Sequence, residues 1–169
     1  LSSHSSILLL PLGGGNLEHW VTFKYLDKVA NIPQIHIYDR DVKKYGKFIQ
    51  KINQNPLHKA FQTQLYEIEN YIHPSLYVQC YEYSNPFVEL SNNDWKVNWG
   101  NIDIPKSLSQ HLKQCYIDGD SHLKEYSSEH IKKKLNYQLS KVVTKELLED
   151  INAHTEIESW FQLIQQKIA

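Results

Sequence analysis

The chain has 169 residues, of which 41% are hydrophobic and 22% are charged, and its formal net charge is −1. This length suits one domain, or a compact core with an appendage, and suffices to bury a real core. The near-zero charge gives no global basic field that would indicate nucleic acid, although it leaves a local basic patch open. The only two cysteines, Cys80 and Cys115, are far apart. They form neither a disulfide framework nor a zinc site and favour the cytoplasm.

The first half of the chain alternates between strand and helix patterns. The predicted elements are a buried strand at 7–12, a glycine-rich turn at 13–16, a helix at 17–30, a buried strand at 34–38, a helix at 42–53 and a short strand near 63–65. The helix at 42–53 carries Phe48, Ile49 and Ile52 on one face. Alternating elements of this kind predict an α/β fold with a parallel sheet flanked by helices.

The composition changes after about residue 85. A loop rich in Asn, Pro and Gly follows, with Trp95 and Trp99 expected to anchor it. Helical spacing then covers 107–117, 127–140 and 144–168, the last beginning at a capping Thr144. The residues of the last helix expected to face a core are Trp160, Phe161, Ile164 and Ile168. We therefore predict an α/β core over 1–85 and a loop with a helical extension over 86–169.

Two carboxylates, Asp39 and Asp41, follow the predicted strand at 34–38. If the strand continues to Asp41, both point to the same side. In open α/β sheets, ligands bind beyond the carboxyl ends of the strands. Carboxylate oxygens grouped in this way suit Mg²⁺ or Mn²⁺. The alternatives are a solvated loop, or a cap formed by Asp41 on the next helix.

Glu67 and Glu69 repeat this spacing in the segment "LYEIENYI", which we interpret as a turn or helix. Their alternative is a partly exposed helix face. If both acid pairs follow successive α/β units, they converge at one sheet edge. The four carboxylates are then expected within a region roughly 10 Å across, since paired metals lie about 4 Å apart.

The motifs "LGGGN", "IYDRD" and "LYEIENYI" together resemble the TOPRIM domain of OLD-family (overcoming lysogenization defect) nucleases. The tail segments "SSEHIKKKLN" and "VVTKELLEDINAHTEIESWF" extend the resemblance over nearly the whole chain. The resemblance implies a TOPRIM-like sheet and an endonuclease that cuts DNA in anti-phage defence. It also implies a two-metal site for Mg²⁺ or Mn²⁺, held by Asp39, Asp41, Glu67 and Glu69.

The family also has a lysine that assists at the phosphate, and Lys132 is the best match among Lys132, Lys133 and Lys134. Its charge would stabilise the transition state of phosphodiester cleavage. We expect Lys132 to be an exposed charge whose loss barely affects folding. The alternative for the three lysines is a solvated helix face.

Several features of the family are expected outside this chain. TOPRIM domains begin with a strand that ends in a Glu, and nothing here supplies it. The chain has no Met. It also has no phosphate-binding loop, because its glycine-rich turn "GGGN" has no lysine. We therefore interpret the chain as a piece of a larger polypeptide whose ATPase domain or subunit uses ATP elsewhere. The full-length protein is expected to form a homo-oligomer without a membrane, and the chain alone to cut DNA poorly. The alternative function is a non-catalytic TOPRIM-like module that binds nucleic acid or a partner during assembly.

Overall fold

The computed structural model describes residues 7–8, 32–80, 98–115 and 124–168. Within these ranges the structure is mixed α/β, with a two-stranded parallel sheet and five α-helices. The chain divides into two compact units. The sheet unit falls within Leu1–Tyr38, Val42–Gln62 and Ser159–Ala169, and the helical unit within Asp39–Asp41 and Thr63–Glu158.

The elements follow one another in a simple order. The strands and α-helices are β1 (Gln34–Tyr38), α1 (Tyr45–Ile52), β2 (His58–Gln62), α2 (Ile104–Cys115), α3 (Ser128–Tyr137), α4 (Lys145–Asp150) and α5 (His154–Ile168). Three short 3₁₀ helices lie at Ile68–Tyr71, Pro74–Gln79 and Leu139–Val142.

In the sheet unit, β1 and β2 pair in parallel, with Gln34 opposite His58. Its core is formed by buried residues from both strands and α1, with partly buried neighbours packed against them: Tyr38, Tyr45, Ile52, Ala60, Val42, Phe48 and Ile49. The predicted parallel pairing and the apolar face of α1 are confirmed. Two expectations are wrong. Ile37 on β1 was expected to be buried but is 38% exposed, and the strand expected near 63–65 lies at His58–Gln62.

The last residues of α5 belong to the sheet unit. The ring of Trp160 lies 6.0 Å from that of Phe61, and Lys167 Nζ donates to the carbonyl oxygen of Pro56 at 3.0 Å. Trp160 is buried as predicted, but Phe161 is 45% exposed. Residues adjacent in a helix point about 100° apart, so one of two neighbours can face solvent while the other is buried.

The helical unit is held together by apolar side chains at helical spacing. On α2, Ile104, Leu108 and Leu112 are almost fully buried, and on α3 so are Ile131 and Leu135. These residues recur four apart, which places them on one face of each helix. The two helices pack against each other, and both contact the 3₁₀ helix at Ile68–Tyr71. That contact positions the segment carrying Glu67 and Glu69.

The predicted helical stretch at 144–168 is capped as expected but is broken in the middle. The Thr144 side chain accepts a hydrogen bond from the backbone N–H of Leu147, so its capping role is confirmed. The stretch divides into α4 and α5 because Asn152 adopts a positive φ of 57°. Asn is one of the few residues that tolerate this left-handed conformation.

Some predicted elements lie outside the described residues. They are the turn at 13–16, the helix at 17–30 and the anchor Trp95, and only Ile7 and Leu8 of the first predicted strand are described. These two residues lie outside regular secondary structure. Trp99 is described and is 1% exposed, which confirms its anchoring role. Among the described helices, none is long and apolar enough to cross a membrane.

Candidate acidic site

The turn after β1 is hydrogen-bonded to the segment that carries the two glutamates. Asp39 Oδ1 accepts from the backbone N–H of Ile68 at 2.9 Å, and the N–H of Asp41 donates to the carbonyl oxygen of Tyr66 at 3.2 Å. Ile68 stands between Glu67 and Glu69 in sequence. The Asp39 carboxylate is therefore directly attached to the glutamate segment.

The strand itself does not continue to Asp41, contrary to expectation. It ends at Tyr38, and residues 39–41 form a turn. Because side chains alternate only within a strand, the argument that Asp39 and Asp41 share one side no longer applies. Asp39 is half-buried, whereas Asp41 is exposed. Asp41 remains a predicted site residue without support from the strand geometry.

Both glutamates are buried, which excludes the interpretation as a partly exposed helix face. Glu67 is 6% exposed and Glu69 is 0% exposed. Glu67 precedes the 3₁₀ helix Ile68–Tyr71, and its backbone N–H donates to Asn70 Oδ1 at 2.9 Å. The predicted turn or helix at this position is confirmed. Burying two carboxylates so close together is unfavourable unless positive charge and hydrogen bonds compensate for it.

The compensating positive charge is Lys132 on α3. Its Nζ lies 2.9 Å from Glu67 Oε2 and 3.3 Å from Glu69 Oε2. Asn136, four residues further along the same helix, donates from Nδ2 to Glu69 Oε1 at 2.8 Å. Residues four apart share a helix face, so α3 presents a lysine and an amide together to the two glutamates.

The other two lysines of this run have different environments. Lys133 pairs with Glu129 at 2.8 Å on an exposed part of α3. Lys134 Nζ donates to the carbonyl oxygen of Cys80 at 2.9 Å. The description as a solvated helix face therefore fits Lys133 but not Lys132. Of the three, the structure places Lys132 beside the acids.

The electrostatic environment shifts the pKa values of Glu67, Glu69 and Lys132. Burial raises the pKa of Glu67 to about 7, even though Lys132 opposes the shift, and the charges of Glu69 and Asp103 add to it. Burial also raises the pKa of Glu69. For Lys132, burial alone lowers the pKa, but the hydrogen bond to Glu67 and the surrounding negative charges outweigh it and raise the pKa. The lysine therefore stays charged.

Two carboxylate oxygens of this cluster accept no hydrogen bond from the described residues. They are Glu67 Oε1 and Glu69 Oε2, and both atoms are buried. Glu69 Oε2 lies within ion-pair distance of Lys132, so that contact is electrostatic. Buried oxygens normally have a partner, and hard oxygen donors suit Mg²⁺ or Mn²⁺. The donor atoms are therefore of the type that such an ion prefers, but no three acid, histidine or cysteine side chains in the described ranges are grouped so that they could hold one.

Three residues near the acids were missed by the sequence reasoning. Asn136 was detectable, since it lies one helical turn after Lys132. Asn70 lies within the "EIENY" segment, but nothing in the sequence identifies its partners. Asp103 lies more than 30 positions from Glu67, and only the tertiary structure brings its charge close enough to raise the pKa of that residue.

Comparison with known proteins identifies no relative of this chain. No family model matches the chain, and no curated protein or solved structure matches it either. The resemblance to OLD-family nucleases therefore stays a prediction that depends on the quoted motifs.

Proposed function

We propose that this chain is a metal-dependent phosphodiesterase module that acts on DNA, in the manner of the OLD-type nucleases it resembles. The observation that carries the proposal is the buried acidic cluster. The glutamates, Glu67 and Glu69, contact Lys132, and Asp39 is hydrogen-bonded to the residue between them. Buried carboxylates with raised pKa values and a positive partner are typical of functional sites.

The residues that would hold Mg²⁺ or Mn²⁺ are Asp39, Glu67 and Glu69, with Asp41 as a further candidate. Such an ion supplies activated water and stabilises the leaving oxygen in phosphodiester cleavage. Glu67 Oε1 and Glu69 Oε2 are the buried acceptor atoms that remain for this purpose. Asn136 holds the opposite oxygen of Glu69, which fixes the orientation of that carboxylate.

Lys132 has two roles in this proposal. Its ammonium offsets part of the negative charge of the two glutamates, and its side chain remains 40% exposed. A partly exposed lysine side chain next to the acids can also reach a phosphate oxygen that approaches from solvent. Positive charge placed there stabilises the negative charge that develops during phosphodiester cleavage.

The proposal is tested first by metal binding. We expect isothermal titration calorimetry of the chain to show Mn²⁺ binding that Glu69→Gln weakens by at least about ten-fold, because a ligand oxygen is lost. Glu129→Gln is the matched control, since Glu129 is an exposed carboxylate paired with Lys133 on α3. Equal Mn²⁺ binding by wild type and Glu69→Gln would contradict the site.

Cleavage is tested in the full-length protein. We expect Mn²⁺-dependent nicking of supercoiled plasmid to fall at least about 100-fold in Asp39→Ala and at least about ten-fold in Lys132→Ala. Lys133→Ala serves as the control, because Lys133 pairs with Glu129 away from the acids. Unchanged cleavage in Asp39→Ala would refute the nuclease function.

The non-catalytic alternative also has an observation in its favour. Lys132 already neutralises part of the charge of Glu67 and Glu69, so the cluster has an internal cation. A module that only binds DNA or a partner would use this cluster to fix its fold. Metal titration separates the two functions, because such a module has no reason to bind Mn²⁺ through Glu69.

A further inference from the structure

Residues 98–103 contact the turn at Asp39–Asp41, the first acid-bearing segment, through Arg40. This residue lies between Asp39 and Asp41 and is the only arginine in the chain. Its Nη2 donates to the carbonyl oxygen of Gly100 and to Asn101 Oδ1, the latter at 2.7 Å. A guanidinium nitrogen with two fixed hydrogens suits two acceptors on one short segment. The turn at Asp39–Asp41 is thereby attached to residues 98–103.

Residues 98–103 also contact the second acid-bearing segment, which carries Glu67 and Glu69, through Asn70. Asn70 Nδ2 donates to the carbonyl oxygens of Trp99 at 2.6 Å and Ile102 at 3.0 Å. In return, Trp99 Nε1 donates to the carbonyl oxygen of Asn70 at 2.7 Å. Asn70 is 0% exposed and Trp99 is 1% exposed. These are buried and reciprocal hydrogen bonds, so their loss leaves unsatisfied polar groups.

Backbone approach in this region is close. A Cβ atom added at Gly100 would lie 3.1 Å from Leu65 Cδ2. Such a distance is shorter than an ordinary van der Waals contact, so only glycine fits there without displacement. Leu65 precedes Glu67 by two residues, and Asp103 at the other end of the segment raises the pKa of Glu67 through its charge. Residues 98–103 therefore lie along the glutamate segment.

We propose that residues 98–103 form a positioning brace, which sets the distance between the turn at Asp39–Asp41 and the glutamate segment. The acids lie on a turn and at the start of a single turn of 3₁₀ helix, and such short elements hold their geometry poorly alone. Side chains that bind ions or phosphates need their spacing fixed by surrounding residues. The brace supplies that through Arg40 on one side and Asn70 on the other. Only the purpose of this spacing depends on the proposed function.

Amide hydrogen exchange tests the brace without any ligand. In Arg40→Ala we expect the amides of Asp41 and Ile68 to exchange at least about ten-fold faster, because their hydrogen bonds join the two acid-bearing segments. Arg40→Lys should restore most of the protection, since an ammonium can also donate to both acceptors. Lys113→Ala, which removes an exposed charge at the end of α2, is the matched control and should change neither amide.

A second variant and a second measurement keep the result decisive. Trp99→Phe retains an aromatic ring but removes the hydrogen bond from Trp99 Nε1 to the carbonyl oxygen of Asn70, and it should also speed exchange at Ile68. In Arg40→Ala, Mn²⁺ affinity measured by calorimetry should fall about five-fold while the melting temperature stays within about 1 °C, and Arg40→Lys should recover it.

Different outcomes separate the brace from the proposed function. Unchanged exchange at Asp41 and Ile68 in both Arg40→Ala and Trp99→Phe would overturn the brace. Faster exchange throughout α2 as well would also overturn it, because residues 98–103 would then support general stability. If the wild type binds no Mn²⁺, the proposed metal site fails, and the brace is decided by the amide exchange and its rescue in Arg40→Lys.

Discussion

The two compact units of this chain bury different kinds of side chain. The core of the sheet unit is apolar and aromatic, with residues such as Tyr45, Ile52 and Ala60. The helical unit buries apolar residues too, but it also buries three glutamates, and Lys132 lies against two of them, Glu67 and Glu69. Apolar burial stabilises a fold directly, whereas a buried ion pair contributes little net stability. The two units therefore differ in what their buried side chains contribute, and stability measurements on each can separate the two contributions.

The largest effect on stability is expected in the sheet unit. Ile52→Ala removes a buried side chain from α1 and should lower the free energy of unfolding by about 3 kcal/mol. Urea denaturation followed by circular dichroism measures the change. Ile32→Ala is the control, because Ile32 is 47% exposed, and it should cost less than about 0.5 kcal/mol. Equal losses in both variants would show that the apolar cluster is not the stabilising core.

The second effect concerns Lys132, and the structure changes the expectation for it. Its ammonium is the positive partner of two buried carboxylates, so Lys132→Met should destabilise the chain by about 2.5 kcal/mol at pH 8. The loss is smaller than for a fully buried pair, because the lysine is 40% exposed. Lys133→Met, which breaks only an exposed pair, should cost less than about 0.5 kcal/mol. A Lys132→Met variant as stable as wild type would restore the view of an exposed, structurally neutral charge.

The third effect is a pH dependence of stability that comes from Glu67. Its pKa rises from an ordinary value of 4.5 to about 7 in the folded chain. Between these values the folded state binds more protons than the unfolded state, so stability falls as the pH rises. Between pH 5 and pH 8 the Glu67 contribution should decrease by about 2 kcal/mol, equivalent to about 5 °C in melting temperature. Calorimetric melting of Glu67→Gln should show a flatter profile, and an equally steep profile would assign the slope to other groups.

The smallest effect on stability should come from Glu69→Gln, even though Glu69 is fully buried. Glu67 and Glu69 share one lysine, so removing one negative charge leaves a balanced pair. The free energy of unfolding should change by less than about 0.5 kcal/mol, in contrast to its large effect on Mn²⁺ binding. Chemical denaturation at pH 7.5 measures this change in the free energy of unfolding, with Glu129→Gln as the control. A loss above about 2 kcal/mol would mean that Glu69 is retained for the fold.

The sequence predicted the elements of this chain better than their exact limits. The periodic apolar pattern located α1, α2 and α3, and the cap at Thr144 was correct, because these features depend on neighbouring residues. The strand near 63–65 was misplaced to the C-terminal side of β2. The single stretch at 144–168 was not recognised as two helices, since the break depends on the backbone conformation of Asn152.

The candidate site divides in the same way. The spacing of Glu67 and Glu69 and the choice of Lys132 came from the sequence, since motifs record residue type and order. Burial of the glutamates and their contacts with α3 came only from the structure, because these depend on residues more than 60 positions apart. The shared direction of Asp39 and Asp41 was inferred from a strand that in fact ends at Tyr38.

The sequence by itself determined the class of the elements, their order and the acidic residues that follow the strands. It did so because helix and strand periodicity and capping are encoded within a few neighbouring positions. Only the tertiary structure decided which acid is exposed, which amide orients Glu69, and that residues 98–103 join the two acid-bearing segments. Those features depend on hydrogen bonds and desolvation between distant parts of the chain, and no local pattern records them.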